Sequence, residues 1–314
     1  MTRLEIQPAI QQALTTGGAV VALESTVIAH GLPHPRNLET AYALEATVRE
    51  HGAQPATIGV VRGVPSIGLD DATIERFALG QNVLKLSRRD LGLAIATRQD
   101  GATTVAGTMA LAHVAGIEVF ATGGIGGVHR GATESWDVSA DLTELGRTPV
   151  LVVCAGAKSI LDLPATLEVL ETLGVPVVGY GTDEFPAFYS ESSGLRVTAR
   201  ADTPEEVAAL WQAHRWIGGG GGMVLAVPPP KAAALPTEEV EAAIARALAE
   251  ANLAGVQGAQ VTPFLLAAML QETGGRSLET NIALLHNNTR VAAQVAVAVA
   301  KQGTKEQGNK GTKE

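Results

Sequence analysis

Two reactive side chains follow closely behind apolar runs that read as buried strands. Lys158 lies four residues past the run Val150–Cys154 and behind Gly156, in the string VLVVCAGAKSILD. A lysine in apolar surroundings can act as a nucleophile towards a carbonyl-like carbon. Glu24 directly follows the run Ala19–Leu23, and a partly desolvated carboxylate can donate a proton near neutral pH. Taken alone, each motif leaves open the alternatives of a surface lysine and a helix-capping glutamate.

A glycine-rich loop favours a phosphate ligand. The string FATGGIGGVHRG has four glycines within Gly123–Gly127, directly after an apolar run, and His129 and Arg130 come next. The backbone N–H groups of such a loop can approach a phosphate closely. The loop lacks the last glycine of the dinucleotide-binding fingerprint, because His129 holds that position. The string GAKS also fails as a P-loop, since Ala157 stands where that motif requires glycine.

A basic cluster offers further groups for an anion. The string LKLSRRDL carries Lys85, Arg88 and Arg89 within five residues. Cations at this density could clamp a phosphate, and together with His129 and Arg130 they would form a local basic site. A solvated turn is an equally good interpretation of the cluster by itself.

Carboxylates in the string ESWDVSADL could hold a metal ion. Asp137 and Asp141 are four residues apart, a spacing that could place both on one helical face with Ser139 between them. A hard ion that keeps most of its waters would suit so few protein ligands. Capping of a helix start is the alternative. The histidines do not have the spacing of zinc ligands. Asn281, early on a long helical pattern, could reach a ligand or simply begin that helix.

Strands and helices that would position these groups alternate along the chain, as in βαβ units. The strands are near-continuous apolar runs, of the kind that is covered on both faces: Ala19–Leu23, Thr57–Val61, Glu118–Ala121, Val150–Cys154, Val175–Val178 and Met223–Val227. The helices have periodic apolar residues, and several stop at a glycine: Leu38–Glu50, Asp70–Leu79, Leu163–Leu173, Thr237–Asn252, Thr262–Gln271 and Leu278–Ala300. Open α/β sheets bind ligands at the carboxyl ends of their strands, so we expect the reactive residues to meet there.

Composition limits the class of protein. The chain has 314 residues, of which 46% are hydrophobic, and this suffices for a large aliphatic core in one domain over residues 1–300. Residues 301–314 lack hydrophobic side chains, which predicts a disordered polar tail. A net charge of −9 argues against binding to nucleic acid polymers. The single cysteine, Cys154, suits a reducing cytoplasm, and we expect neither a signal peptide nor a membrane span.

Together and in this order, the motifs resemble the pseudouridine-5′-phosphate glycosidase family, also called indigoidine synthase A-like. The resemblance runs from about Glu24 to Ala300, nearly the whole chain, through ALESTVIAHGLPHPRNLETA, KLSRRDL, TTVAGTM, ATGGIGGVHRG, DVSADL, CAGAKSILD, VTPFLLAAM and SLETNIALLHNN. It implies a three-layer α/β/α fold with a central mixed, largely parallel sheet. It also implies a cytoplasmic homotrimer with a manganese ion.

The resemblance carries roles onto matching residues. It implies that Lys158 is the nucleophile, Glu24 the proton donor and Asp137 the metal-binding aspartate. Contacts with the substrate are implied for a larger set: Lys85, Val105, Thr122, His129, Ser139, Ala140, Asp141 and Asn281. The implied activity is a lyase-type C-glycosidase reaction in pseudouridine catabolism. It converts pseudouridine 5′-phosphate reversibly to ribose 5-phosphate and uracil through a lysine Schiff base on the ring-opened ribose.

Two rival functions use the same residues. An N-ribohydrolase or an aldolase would cleave uridine-type N-glycosides or deoxyribose 5-phosphate. A non-catalytic nucleotide sensor would bind a phosphate ligand tightly while Lys158 stayed chemically inert. A lysine, a glutamate and an aspartate at strand ends count against the sensor, which needs no nucleophile.

Overall fold

A parallel sheet forms the centre of the computed structural model, which describes residues 4–218, 220–256 and 261–310. The strands of the described chain are β1 Glu5–Ile6, β2 Val20–Leu23, β3 Gln54–Val61, β4 Val64–Ile67, β5 Leu84–Leu86, β6 Gly101–Thr103, β7 Val119–Ala121, β8 Val128–His129, β9 Leu151–Cys154, β10 Leu161–Asp162, β11 Val177–Tyr180, β12 Ala199–Ala201 and β13 Met223–Ala226. The main sheet has the order β1-β4-β3-β2-β7-β9-β13-β11-β12. All pairs from β3 to β12 in this order are parallel.

The long strand β3 takes part in both parallel and antiparallel pairing. Its first half pairs with β2, and its second half pairs in the antiparallel direction with β4 and β6. Strand β5 then adds to β6 at this end of the sheet. A separate two-stranded ribbon joins β8 to β10. The sheet is therefore mixed but largely parallel, as expected.

Helices cover both faces of the sheet. They are α1 Pro8–Thr15, α2 Arg36–Glu50, α3 Asp71–Ala78, α4 Leu91–Ala96, α5 Val105–Ala115, α6 Ala132–Ser135, α7 Ala140–Leu145, α8 Leu163–Thr172, α9 Pro204–Trp216, α10 Thr237–Leu253, α11 Val261–Glu272 and α12 Arg276–Lys310. Every residue of β2, β9 and β13 is buried, so neither face of these strands meets solvent. Helix α12 lies against β2, β7 and β9 and packs between α2 and α9. The predicted three-layer α/β fold is confirmed.

The predicted strands and helices are all present, with boundaries shifted by up to a few residues. One difference concerns the C-terminal segment. The backbone of α12 stays helical to Lys310, across residues whose composition predicts a disordered tail, while residues 311–314 lie outside the described chain. Extending an existing helix costs far less than starting one, so polar residues can continue it. Within the described residues, no helix has both the length and the apolar character needed to cross a membrane.

Candidate active site

A cavity of about 510 Å³ opens where β2, β7 and β9 end. All the residues to which the family resemblance gives a role line this cavity: Glu24, Lys85, Val105, Thr122, His129, Asp137, Ser139, Ala140, Asp141, Lys158 and Asn281. Parallel strands deliver their carboxyl ends to one edge, so side chains distant in sequence meet there. The structure thus brings the predicted residues together.

Strand register places Glu24 beside Thr122. Leu23 of β2 pairs with Ala121 of β7, so the residues that follow these two strands become neighbours. The hydroxyl of Thr122 donates a hydrogen bond to one carboxylate oxygen of Glu24, and the hydroxyl of Thr26 donates to the other. Glu24 is half-buried. Its carboxylate is therefore held in a fixed orientation at the cavity wall.

Lys158 reaches the same cavity from the loop after β9. Its amine Nζ donates to the carbonyl oxygen of Gly124 at 2.8 Å, and its backbone N–H donates to Ile125 at 3.1 Å. The turn that carries it needs glycine at 156, which has a φ of +81° and closely approaches the carbonyl of Pro186. No carboxylate of the described residues forms an ion pair with this amine.

The two aspartates do not share a helical face, which corrects the expectation from their spacing. Helix α7 begins after Ser139, whose hydroxyl accepts from the backbone N–H of Asp141 at 3.2 Å, so Asp137 lies in the preceding loop. Asp141 is buried, and its carboxylate accepts backbone N–H groups from Ala106 at 3.0 Å and Gly126 at 2.8 Å. Asp141 therefore ties the glycine-rich loop to the start of α5.

Only some residues of the predicted basic cluster line the cavity, and the others form ion pairs that stabilise the fold. Lys85 and Arg89 line the cavity. Arg88 instead pairs with the fully buried carboxylate of Glu144 at 3.0 Å, and Arg130 binds Glu241 through both terminal nitrogens, at 2.9 and 2.8 Å. Both arginines therefore serve structural ion pairs. Their participation in an anion clamp was a wrong expectation, because sequence spacing does not reveal a carboxylate partner that is distant in the chain.

Desolvation lowers the pKa values of two basic residues in the cavity. Although Lys85 is exposed overall, desolvation of its amine lowers its pKa, and the positive charge of Lys158 lowers it further. Burial also lowers the pKa of His129, against the opposing charge of Asp137, whose oxygen lies 3.8 Å from the Nδ1 atom. His129 is consequently neutral at physiological pH. The cavity is therefore lined by cationic side chains together with a neutral histidine.

The carboxylate of Asp137 is suited to a cation that is otherwise bound by water. It is partly exposed at the cavity, and in the described chain no group donates a hydrogen bond to it. No cluster of three or more His, Cys, Asp or Glu side chains able to hold a metal is present among the described residues. The donor set fits a hard divalent ion that keeps most of its waters, and it does not fit a closed zinc site.

His30 and Phe188 are among the lining residues that were not predicted from the sequence. His30 stands in a π-helical turn, Val27–Gly31, and burial lowers its pKa, as does the charge of Lys85. The string ALESTVIAHG contains this histidine and could have indicated it. Phe188 has a φ of +61° and packs on Gly124, where an added Cβ would lie 2.6 Å from its ring. A left-handed phenylalanine in an irregular loop leaves no periodic signal.

Comparison with known proteins agrees with this architecture. Residues 9–298 match the family model described as indigoidine synthase A like protein. A protein of Herpetosiphon aurantiacus named pseudouridine-5′-phosphate glycosidase is 66% identical over 95% of this chain and 99% of its own. A protein of the same name from Chloroflexus aurantiacus is 66% identical over 96% of this chain and its full length.

Two solved structures have the same fold over nearly their whole length. The prealnumycin C-glycosynthase AlnA, in complex with ribulose 5-phosphate, superposes with a TM-score of 0.91 at 41% identity, covering 97% of this chain and 99% of its own. An indigoidine synthase A-like protein of Thermotoga maritima gives 0.86 at 36% identity, covering 95% and 96%. The chain belongs to the indigoidine synthase A-like family.

Proposed function

We propose that this chain cleaves the carbon–carbon glycosidic bond of pseudouridine 5′-phosphate, giving ribose 5-phosphate and uracil, and that Lys158 is the nucleophile. The observation that carries the proposal is that one cavity is lined by both an amine, on Lys158, and a carboxylate, on Glu24. Lys158 is held by the carbonyl of Gly124 and Glu24 by two threonine hydroxyls. The names of the relatives support the substrate, and the sugar phosphate bound to AlnA supports its phosphorylated five-carbon part.

A C-glycosidic bond calls for a nucleophile that can also act as an electron source. Protonating a leaving heteroatom, as ordinary glycosidases do, is impossible when the leaving atom is carbon 5 of uracil. The neutral amine of Lys158 adds to C1′ while the bond from C1′ to the ring oxygen breaks. That oxygen takes a proton, which Glu24 supplies. The ribose ring is then open and bound to the enzyme through C1′.

Release of uracil follows from the new nitrogen. Glu24, a carboxylate after protonating the ring oxygen, takes a proton from this nitrogen. The freed lone pair then forms a protonated imine with C1′ and expels uracil, which keeps the electron pair of the broken carbon–carbon bond and takes that proton from Glu24 on C5. Water hydrolyses the imine, releases ribose 5-phosphate and restores the amine. Each step is reversible, so the same residues can also run the reaction towards synthesis.

In this proposal the phosphate of the substrate binds at the cationic side of the cavity. Lys85 and Arg89 line it, as do Gly123 and Gly124 of the glycine-rich loop, whereas the backbone N–H of Gly126 is already bound by Asp141. A phosphate dianion favours the charged form of Lys85, whose pKa is lowered by desolvation and by Lys158 in the free protein. Ligand binding should therefore weaken as the pH rises through that lowered pKa, because the amine then loses its charge.

We expect pseudouridine 5′-phosphate to be a far better substrate than pseudouridine, because remote binding energy positions the ribose against Lys158. Both should be compared with uridine 5′-phosphate by chromatography of the released uracil. In Lys85→Met, the preference for the phosphorylated substrate should shrink, and the alkaline loss of ribose 5-phosphate affinity should disappear in calorimetry. Equal loss of activity on both pseudouridine substrates would place Lys85 at the reacting carbon. Faster cleavage of uridine 5′-phosphate would favour the N-ribohydrolase.

A manganese ion, or another hard divalent ion, is the cofactor in this proposal. Asp137 would hold it, together with waters. When bound, it would orient uracil through those waters. Asp141 is not assigned to the ion, because both its oxygens already accept backbone N–H groups.

Chelation should lower the activity, and manganese should restore it. In Asp137→Asn, a higher manganese concentration should be needed for half-restoration, since a neutral amide is a poorer ligand than a carboxylate. Restoration is measured by titrating manganese into the chelated enzyme, and direct binding by the paramagnetic signal of the free ion. Asp162→Asn is a matched control, because that aspartate caps α8 and does not line the cavity. Full activity of the metal-free protein would remove the ion from the proposal.

Assembly and location complete the proposal. We propose a homotrimer, which light scattering in solution would test through the mass of the particle. A cytoplasmic location suits the reaction, whose substrate and products are intermediates of nucleotide metabolism. It also suits Cys154, a buried thiol without a disulfide partner.

A further inference from the structure

One short backbone segment contacts both reactive groups of the proposed reaction. The hydroxyl of Thr122 donates to the carboxylate of Glu24, and the carbonyl of Gly124, two residues on, accepts from the amine of Lys158 at 2.8 Å. A shift of the segment Thr122–Gly124 would therefore move the acid and the nucleophile together.

Asn288 of α12 contacts this segment from outside the cavity. Its side-chain nitrogen Nδ2 donates to the carbonyl of Thr122 at 2.9 Å and to the carbonyl of Gly123 at 3.2 Å. The residue is fully buried and is not among those that line the cavity. Both partners are carbonyl acceptors, so only the nitrogen of the amide can face them. The chemistry thus sets the orientation of this side chain.

The oxygen of the same amide is left without a partner. Oδ1 of Asn288 is buried, and no described residue donates a hydrogen bond to it. A buried acceptor without a donor destabilises a fold. Stability alone therefore does not account for an asparagine at this position, whereas its two donated bonds to the Thr122–Gly124 segment do.

We propose that Asn288 is a positioning residue that fixes Thr122–Gly124 so that Lys158 reaches C1′ of the substrate while Glu24 reaches the ring oxygen bonded to that carbon. This inference rests on the proposed function of those two residues. Asn288 acts through the backbone and does not touch the substrate. Its loss should therefore slow the chemical step while leaving the binding of substrate nearly unchanged.

Two substitutions remove the donor in different ways. Asn288→Leu keeps a similar volume but removes the amide donor from both carbonyls, of which that of Gly123 still accepts from the backbone N–H of Ala155 at 2.9 Å. Asn288→Asp keeps the shape and presents an oxygen to the two carbonyls, and it provides a second test if the leucine variant does not fold. Misplacement of reacting groups by about 1 Å can cost about 100-fold in rate. We expect kcat on pseudouridine 5′-phosphate to fall by at least about tenfold, with KM changed by less than about threefold.

Asn287→Leu is the matched control. Asn287 is the neighbouring residue on α12, and its amide nitrogen donates to the carbonyl of Pro228 at 3.2 Å, outside the cavity. This variant loses that hydrogen bond and the one that Oδ1 accepts from Arg290 at 2.9 Å, and it should keep the wild-type kcat. Melting temperatures of all variants show how much stability each loses. Unchanged kcat in both Asn288 variants, an equal fall in Asn287→Leu, or a loss confined to KM would overturn the proposal.

Lys158→Ala separates this inference from the function on which it rests. If Lys158→Ala is inactive while the Asn288 variants keep the wild-type kcat, only the positioning role fails. If Lys158→Ala keeps its activity, the proposed function fails, and the role of Asn288 fails with it. A selective fall of kcat in the Asn288 variants, together with an inactive Lys158→Ala, supports both.

Discussion

Lys158→Ala should lose turnover of pseudouridine 5′-phosphate by roughly a thousandfold or more while keeping the fold, because alanine cannot form the imine. The side chain of Lys158 is only partly buried and makes one hydrogen bond, to the carbonyl of Gly124. Its removal should therefore cost little stability. Uracil release measures the activity, and the melting temperature measures the fold.

Trapping the intermediate identifies the nucleophile directly. Borohydride reduces an imine to a stable amine, so treatment of the native protein with ribose 5-phosphate and borohydride should leave a sugar phosphate on Lys158. Peptide mass spectrometry locates it. The adduct should persist in Lys85→Ala and vanish in Lys158→Ala. An adduct found on Lys85 would show that the two cavity lysines have the opposite roles.

Glu24→Gln should lower kcat by roughly 100-fold or more, the scale of a lost general acid. Glutamine keeps the size of the side chain, and Thr26 and Thr122 can still contact the amide, so binding of ribose 5-phosphate should persist. The pH–rate profile is the decisive measurement, since the limb that reports the carboxyl group should disappear in the variant. An unchanged profile would reduce Glu24 to a structural carboxylate.

Glu45→Gln provides a matched control for this substitution. The carboxylate of Glu45 is buried and accepts a hydrogen bond from the hydroxyl of Thr57 at 2.6 Å, much as Glu24 accepts from threonines, but it does not line the cavity. Its loss should lower the melting temperature without changing the pH–rate profile. A comparable loss of kcat in Glu45→Gln would attribute the effect at Glu24 to general destabilisation.

Much of the fold was predictable because its central strands can be recognised from their local sequence. Runs such as Val150–Cys154 and Met223–Val227 are apolar throughout, and a parallel sheet covered on both faces requires this pattern. The same pattern located the site, since Glu24 and Lys158 follow two of these strands. The sequence motifs then identified the residues that line the cavity.

The remaining elements depend on contacts that no local pattern encodes. Strands β5 and β6 have three residues each, and β6 exists because it pairs with the distant strand β3. Helix α5 is buried over most of its length, so it lacks the amphipathic period that would have indicated a helix. The ion pair between Arg88 and Glu144 joins residues 56 positions apart, and only the folded chain brings them together.

Because α12 is one unbroken helix, its C-terminal part lies far from the cavity that holds the reactive groups. Asn281 lines the cavity near the start of this helix, whereas Gly303 lies beside the opposite ends of β2 and β7, where those strands begin. At 1.5 Å per residue, the two points are about 33 Å apart along the helix axis. A surface linkage, an affinity handle or a fluorescent reporter attached beyond Gly303 would therefore sit on the far side of the sheet from the substrate entrance. Immobilised in this way, the enzyme would present its open cavity to the solution.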